Sequence, residues 1–366
     1  MNFQSTLGKP LGLAAAATLT LGLATAATGF VAFATPAGAA TGPTATLRQG
    51  TVTVTGTAAR DLIGITVDAD QLAVDFGLDG TVDAQFKRSR VTAVVVNAGA
   101  GDDSSTVFGT GAVPVTINGE DGNDFLAVAG NIGTTGEGDA PTILNGDDGN
   151  DQIVAGTPGP ITVNAGAGDD SVNGGGAAVG QEIINLGDGN DRFVSSLNAF
   201  FGARSDIVDG GTGQNTMRFD GTFASEAVTL SANAGHLIVD QGIDAVNIQD
   251  VTWFGFGGND EGGGDQVTVN DLSGTDVVNF TPNFSAPSDG TAPNNSADQV
   301  RVVGTEGDDH ITVSGSGANI TVAGLTPTVT PVLLDAQDTL RIDTLNGKDT
   351  VTSHDLQRGL VQLQVF

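Results

Sequence analysis

The chain has no cysteine and no tyrosine, one tryptophan, three histidines, and only 13 lysines and arginines against 43 aspartates and glutamates. Each shortage excludes a kind of chemistry. Without cysteine there is no disulfide framework, no thiolate nucleophile and no cysteine-type zinc site. His236, His310 and His354 are far apart in the chain. No HExxH, GxSxG, P-loop or GxGxxG motif occurs, and no loop carries the glutamate at position 12 that an EF-hand needs. A formal net charge of -30 turns the chain away from phosphate backbones, so nucleic acid is not an expected partner. Catalysis therefore has no constellation to rest on, and the expectation is a non-enzyme.

What the chain does have is glycine and acid in a fixed pattern. In Ile117-Asn118-Gly119-Glu120-Asp121-Gly122-Asn123-Asp124-Phe125-Leu126, let the last aspartate be position zero. Copies fall at Asp103, Asp124, Asp151, Asp170 and Asp191, spaced 21, 27, 19 and 21 residues apart, and more loosely at Asn215, Asp265, Asp309 and Asp349. All nine copies carry glycine two residues before zero, which signals a backbone demand for positive φ or close approach. Eight of nine are apolar two residues after zero, and eight of nine are apolar seven before it. The first five place an asparagine six before zero (Asn97, Asn118, Asn145, Asn164 and Asn185). A strand runs into each turn and another leaves it.

A fixed period near 20 residues accommodates two short strands and two turns, which is one coil of a flattened parallel solenoid. The expected fold is all-β: a parallel β-solenoid with Gly/Asp/Asn-rich turns, about 20 residues per coil in the first half. Disorder is a poor description, because 39% hydrophobic content with β-branched residues at regular positions supplies burial.

In order along the chain, residues 1–40 read as a secretory signal: Lys9, an apolar run from Leu11 to Phe33, and Pro36-Ala37-Gly38-Ala39-Ala40 as a small-residue cleavage site. The apolar run is long enough to span a bilayer if retained as an anchor, and no second run of spanning length follows. Residues 41–93 read as an N-terminal capping β segment that includes the basic cluster Lys87-Arg88-Ser89-Arg90, expected to be a solvated face. Residues 94–220 hold the regular array, with a loop-out expected across Asn131 to Pro141. Residues 221–366 form a degenerate β-repeat region whose period stretches to about 40 to 50, with a loop near 283–298. Trp253-Phe254-Gly255-Phe256 is a candidate sugar-stacking patch, but such residues on a β segment are more often core.

Stacked coils sit ~4.8 Å apart, so the aspartates at position zero form a column in which each adjacent pair repels by ~0.9 kcal/mol even in water. A hard divalent cation held by carboxylates and turn carbonyls reverses that sign, and calcium suits such a site better than magnesium because it accepts many oxygens in flexible geometry. An alternative is that Gly-Asn-Asp turns merely turn. The asparagine column is expected to be a hydrogen-bonded amide ladder.

Gly119-Glu120-Asp121-Gly122-Asn123-Asp124-Phe125-Leu126 resembles the glycine-rich nonapeptide GGxGxDxUx of hemolysin-type (RTX) calcium-binding proteins. The resemblance implies a secreted or cell-surface protein in which turns bind calcium between coils of a parallel β-roll. Carried over, the family's aspartate ligand corresponds to Asp103, Asp124, Asp151, Asp170, Asp191, Asp309 and Asp349, with Asp102, Asp169 and Asp308 beside them as further candidate ligands. Each coil here has only one such turn, which implies a single ion ladder, and Asn215 replaces the aspartate in one copy. The function implied is calcium binding by an extracellular structural or interaction module that folds on meeting calcium, with cell-surface or matrix polysaccharide or protein as partner. The alternatives are a carbohydrate-active enzyme on a β-helix scaffold, and a calcium-dependent adhesin.

Overall fold

The structure is a computed structural model. It describes residues 42–366 apart from 110–112, 131–139, 157–158, 175–179, 197–205, 222–224, 241, 256–263, 286–291, 317–318 and 357–358. The expected signal at 1–40, most of the expected loop-out and Phe256 lie outside the described residues.

The chain is a parallel β-solenoid that alternates between two sheets. Its first strands are β1 (Thr44–Arg48), β2 (Thr51–Thr57), β3 (Leu62–Val67), β4 (Gln71–Phe76) and β5 (Ala84–Lys87). The regular coils follow as pairs: β6 (Ala93–Ala100) with β7 (Ser104–Phe108), β8 (Val115–Asp121) with β9 (Phe125–Ala129), β10 (Thr142–Asp148) with β11 (Gln152–Gly156), β12 (Ile161–Ala167) with β13 (Ser171–Gly174), β14 (Glu182–Asp188) with β15 (Arg192–Ser196), and β16 (Asp206–Asp209) with β17 (Thr216–Asp220). The remainder is β18 (Ala227–Asn233), β19 (His236–Val239), β20 (Ile243–Val246), β21 (Asp250–Phe254), β22 (Gln266–Val269), β23 (Asn279–Asn283), β24 (Gln299–Val303), β25 (His310–Ser316), β26 (Asn319–Ala323), β27 (Thr328–Val329), β28 (Thr339–Asp343), β29 (Thr350–His354) and β30 (Gln362–Val365).

Among the described residues each sheet has 15 strands. Sheet A runs β1-β2-β6-β8-β10-β12-β14-β16-β20-β19-β18-β22-β24-β28-β30, and sheet B runs β29-β25-β26-β27-β23-β21-β17-β15-β13-β11-β9-β7-β3-β4-β5. Pairing between coils is parallel, and antiparallel pairs occur at β1/β2, β3/β4/β5, β18/β19/β20 and β25/β26/β27. The last two are hairpins that carry the chain forward along one sheet and back again. One lies in each sheet, so the two insertions offset each other. They are also why the turn signature spreads out after residue 221: extra strands are threaded between successive turns.

Alternation of apolar and polar residues puts one face of the inner strands in the core, and the end strands β1, β5, β29 and β30 pack partly buried apolar residues against it. Val96, Ile117, Leu144, Val163, Ile184 and Val208 from sheet A meet Leu126, Ile153, Val172, Phe193 and Met217 from sheet B, all buried. These are the apolar columns at seven before and two after position zero. Trp253 belongs to the core: it is fully buried and meets the Phe284 ring edge-on at 5.6 Å.

The turn glycines have a direct explanation. Gly122, Gly149, Gly168 and Gly189 have φ of 146°, 133°, 136° and 151°, and a Cβ on Gly149 would lie 1.8 Å from the carbonyl oxygen of Gly122 in the coil before it. Coils stack through the turn as closely as through the strands, and only glycine leaves room.

Candidate functional site

The A-to-B turn brings the aspartates at position zero into one column. Each Oδ1 accepts the backbone N–H of the corresponding residue one coil earlier: Asp61 to Asp103 at 2.6 Å, then Asp103 to Asp124, Asp124 to Asp151, Asp151 to Asp170 and Asp170 to Asp191, each at 2.8 Å. The column continues from Asp191 to Asn215 Oδ1 at 2.9 Å and from Asn215 to Gln249 Oε1 at 2.7 Å. The corner turns this N–H along the stack, and the carboxylate of the next coil satisfies it.

The second carboxyl oxygen separates the members of the column. In Asp61 it accepts from the Thr57 N–H at 2.6 Å and the Thr57 hydroxyl at 2.9 Å. In Asp309, farther along the same edge, it accepts from the Thr305 N–H at 2.8 Å. In Asn215 its place is taken by Nδ2, which donates to the carbonyl oxygens of Gly210 at 2.7 Å and Asn247 at 3.1 Å. In Asp103, Asp124, Asp151, Asp170 and Asp191 the second oxygen is buried and meets no donor. Beside two of them an acceptor lies close: a Cβ built on Gly146 would lie 2.2 Å from both Asp151 Oδ2 and the Ala165 carbonyl oxygen. At Gly119 the same point lies 2.3 Å from Asp124 Oδ2 and 2.7 Å from the Gly146 carbonyl oxygen.

Burial therefore dominates the titration of these groups. It pushes Asp103 up to about 6 and Asp151 and Asp170 up to about 7, and it raises Asp124 and Asp191 as well. The amide bond to each opposes the shift, and neighbouring carboxylates add to it.

One residue before zero, an outer column runs in the opposite sense. Asp102 Oδ1 accepts the N–H and side-chain amide of Asn123, both at 3.0 Å, which lowers its pKa. Asn123 accepts from the Asn150 N–H at 2.9 Å, Asn150 from Asp169 at 2.8 Å, and Asp169 from Asn190 at 2.8 Å. Asp308 accepts from the Lys348 N–H at 2.8 Å, and Asp309 stacks on Asp349 at 3.0 Å. All ten expected metal residues thus lie on one edge of the solenoid, but Asp309 and Asp349 are apart from the five contiguous coils. A third column, on the outer face of sheet A, is the expected amide ladder: Asn118 to Asn97 and Asn145 to Asn118 at 2.7 Å, Asn164 to Asn145 and Asn185 to Asn164 at 2.8 Å.

One expected copy is misplaced by spacing. Asp265 lies at the opposite, B-to-A edge, because it precedes β22 of sheet A. There it accepts the Glu226 N–H at 2.9 Å and starts a second column through Asp298 at 2.7 Å and Asp338 at 2.8 Å. Asp298 and Asp338 have no glycine two residues before them and were not singled out from the sequence. Burial raises the pKa of both, Asp338 to about 7. What marks this column is an acid two residues before an inward apolar residue, as in Asp298–Val300 and Asp338–Leu340.

The donor set suits a hard cation or a proton. Among the described residues no three His, Cys, Asp or Glu side chains converge on one point, so any cation at this edge has to draw on main-chain carbonyls as well. The fit differs between coils. Beside Asp124 and Asp151 the residue five before zero is glycine, whereas Ala98, Ala165 and Leu186 occupy that place beside Asp103, Asp170 and Asp191. A shallow groove over the edge reaches Asp103 and Asp124 and is bordered by Arg60, Asn123, Phe125 and Gln152. No family model and no curated protein matches this chain.

Proposed function

We propose that the chain is an extracellular structural or interaction module whose A-to-B edge binds calcium, and that the ion joins neighbouring coils. One observation carries this reading: five consecutive coils each bury a carboxylate oxygen that meets no donor, and beside Asp124 and Asp151 that oxygen faces a carbonyl of the next coil. Oxygens packed against oxygens are stable only with positive charge among them. Calcium accepts six to eight oxygens and tolerates irregular geometry, so carboxylate and carbonyl donors from two coils match its needs. Asp124 and Asp151 are the preferred ligands, because their glycine neighbours leave the carboxylates least obstructed, and Glu120, Asp121, Asp147 and Asp148 surround them with exposed negative charge.

When bound, calcium supplies charge neutralisation between coils. The chain's own part is to hold Oδ1 in place through the amide of the preceding coil, leaving Oδ2 as the free donor to an ion. Asn215 shows the isosteric alternative, where two N–H groups meet the same kind of carbonyls and no ion is needed. The test is calorimetric titration of the chelated protein with calcium and with magnesium, followed by circular dichroism. The expected result is calcium-selective binding that tightens the β signal. Absence of binding, or equal response to both ions, would refute the proposal.

A further inference from the structure

The A-to-B edge is acidic, but the groove that crosses it has a mixed rim: Arg60, Asp102, Ser104, Asn150 and Gln152 stand around the ring of Phe125. Phe125 is 36% exposed and opens β9 on the outer face of sheet B. In register on either side are Ser104 and Gln152, one strand spacing of ~4.8 Å away. At the same place in the other regular coils the chain has serine, glutamine, serine, arginine and threonine, so the aromatic is peculiar to this coil. The open polar atoms are of both kinds. Asn150 accepts the Asp169 amide through Oδ1 and keeps its Nδ2 hydrogens, while the side chains of Arg60, Ser104 and Gln152 make no hydrogen bond among the described residues. Asp102 has Oδ1 engaged by Asn123 and Oδ2 open. The main chain below is closed: the N–H groups of Ser104, Phe125 and Gln152 donate to the carbonyls of Asp61, Asp103 and Asp124 at 2.9, 2.9 and 2.8 Å.

We infer that this groove binds a neutral, gluco-configured saccharide, with the sugar ring stacked on Phe125. Each feature narrows the occupant. Paired main chain leaves no edge to which a peptide strand could add. An anion is repelled by a chain of net charge -30, and Arg60 places positive charge inside the groove itself, where a basic ligand would meet it. A purely apolar ligand would cover the open amides and Arg60 without giving them partners. A sugar with equatorial hydroxyls satisfies every condition. Its C–H face covers the ring, and its edge hydroxyls, each both donor and acceptor, reach Ser104 on one side and Gln152 on the other. Asp102, Asn150 and Arg60 supply the remaining donors and acceptors. This names a partner class for the proposed interaction module and stands apart from its calcium. Neither Phe125 nor Gln152 is an ion ligand in that reading, so sugar binding and calcium binding can fail separately.

The test is a saturation-transfer NMR titration of the full chain with cellohexaose, a neutral β-linked glucose chain, in the presence of calcium. The expected result is weak binding, with a Kd of about 1 mM, and transfer strongest to the axial C–H protons. Phe125→Ala should weaken it about tenfold, and Gln152→Ala about threefold, both with unchanged circular dichroism. Phe108→Ala removes a second exposed ring of the same sheet, 42% open and flanked by Thr66 and Ala129, and should leave binding intact. No transfer to cellohexaose would overturn the inference. So would binding that survives Phe125→Ala or is lost with Phe108→Ala. Displacement of the sugar by an equal concentration of oligolysine would overturn it too, and would assign the groove to a cationic partner.

Discussion

Asp151 shows what one residue does in this fold. Its Oδ1 is a structural acceptor for the Asp124 amide, and its Oδ2 is a donor site without a partner. Two substitutions separate the roles. Asp151→Ala strands a buried N–H, so it should lose about 1–3 kcal/mol of stability with or without calcium. Asp151→Asn keeps the acceptor and adds N–H donors as Asn215 does, so without calcium it should be at least as stable as the parent, while its calcium-dependent rise in Tm shrinks. Thermal denaturation of both variants checks this. Equal losses in the two would mean that Oδ2 has no separate role. At this scale the sequence was partly legible. The glycine two before zero announces Asp103 to Asp191, because the stacked turn has no room for a Cβ. Asp61 has Ala59 at that place and escaped notice, as did Asp298 and Asp338. Which carboxylates lack a donor was hidden as well, because it depends on whether a main-chain N–H four residues earlier, as at Thr57 and Thr305, points at Oδ2, and that appears only when the turn closes.

The turn, as an element, stacks main chain on main chain. Gly122 donates to the Asp148 carbonyl and Gly149 to the Ala167 carbonyl, both at 2.8 Å, so the inter-coil ladder continues around the corner. Gly149→Ala combines a φ of 133° with a Cβ 1.8 Å from the Gly122 oxygen. It should cost about 3 kcal/mol or more, measured by denaturant unfolding, and should weaken calcium binding by separating two coils. A cost below about 1 kcal/mol would show that the coils stack more loosely than described. Strands and their inward faces were legible from alternation alone. The hairpins β18–β20 and β25–β27 were not, since an antiparallel excursion has the same alternation as a coil and differs only in its partner. That ambiguity moved Asp265 to the wrong edge.

The whole molecule carries its charge unevenly. Residues 91–191 contain no lysine, arginine or histidine, so in sequence the basic side chains next to the five-carboxylate column are Arg90 before it and Arg192 at its last member. The column can be neutralised by protons or by a cation. Burial raises the folded-state pKa of Asp103 to about 6 and of Asp151 and Asp170 to about 7 from 3.8, and raises Asp124 and Asp191 as well, so the folded chain binds more protons than the unfolded one. That contribution to stability is fully present below the unfolded value and is lost as pH rises through about 6 to 7. Above that range, under the proposed function, calcium would take over the role of the protons. The most direct measurement is therefore Tm at about pH 5 and about pH 8, each with calcium, with magnesium and with chelator. The account predicts that the chelated protein is more stable at the lower pH, that calcium raises Tm strongly at the higher pH and little at the lower, and that magnesium does neither. A Tm indifferent to calcium at both pH values, with stability falling toward acid, would contradict it.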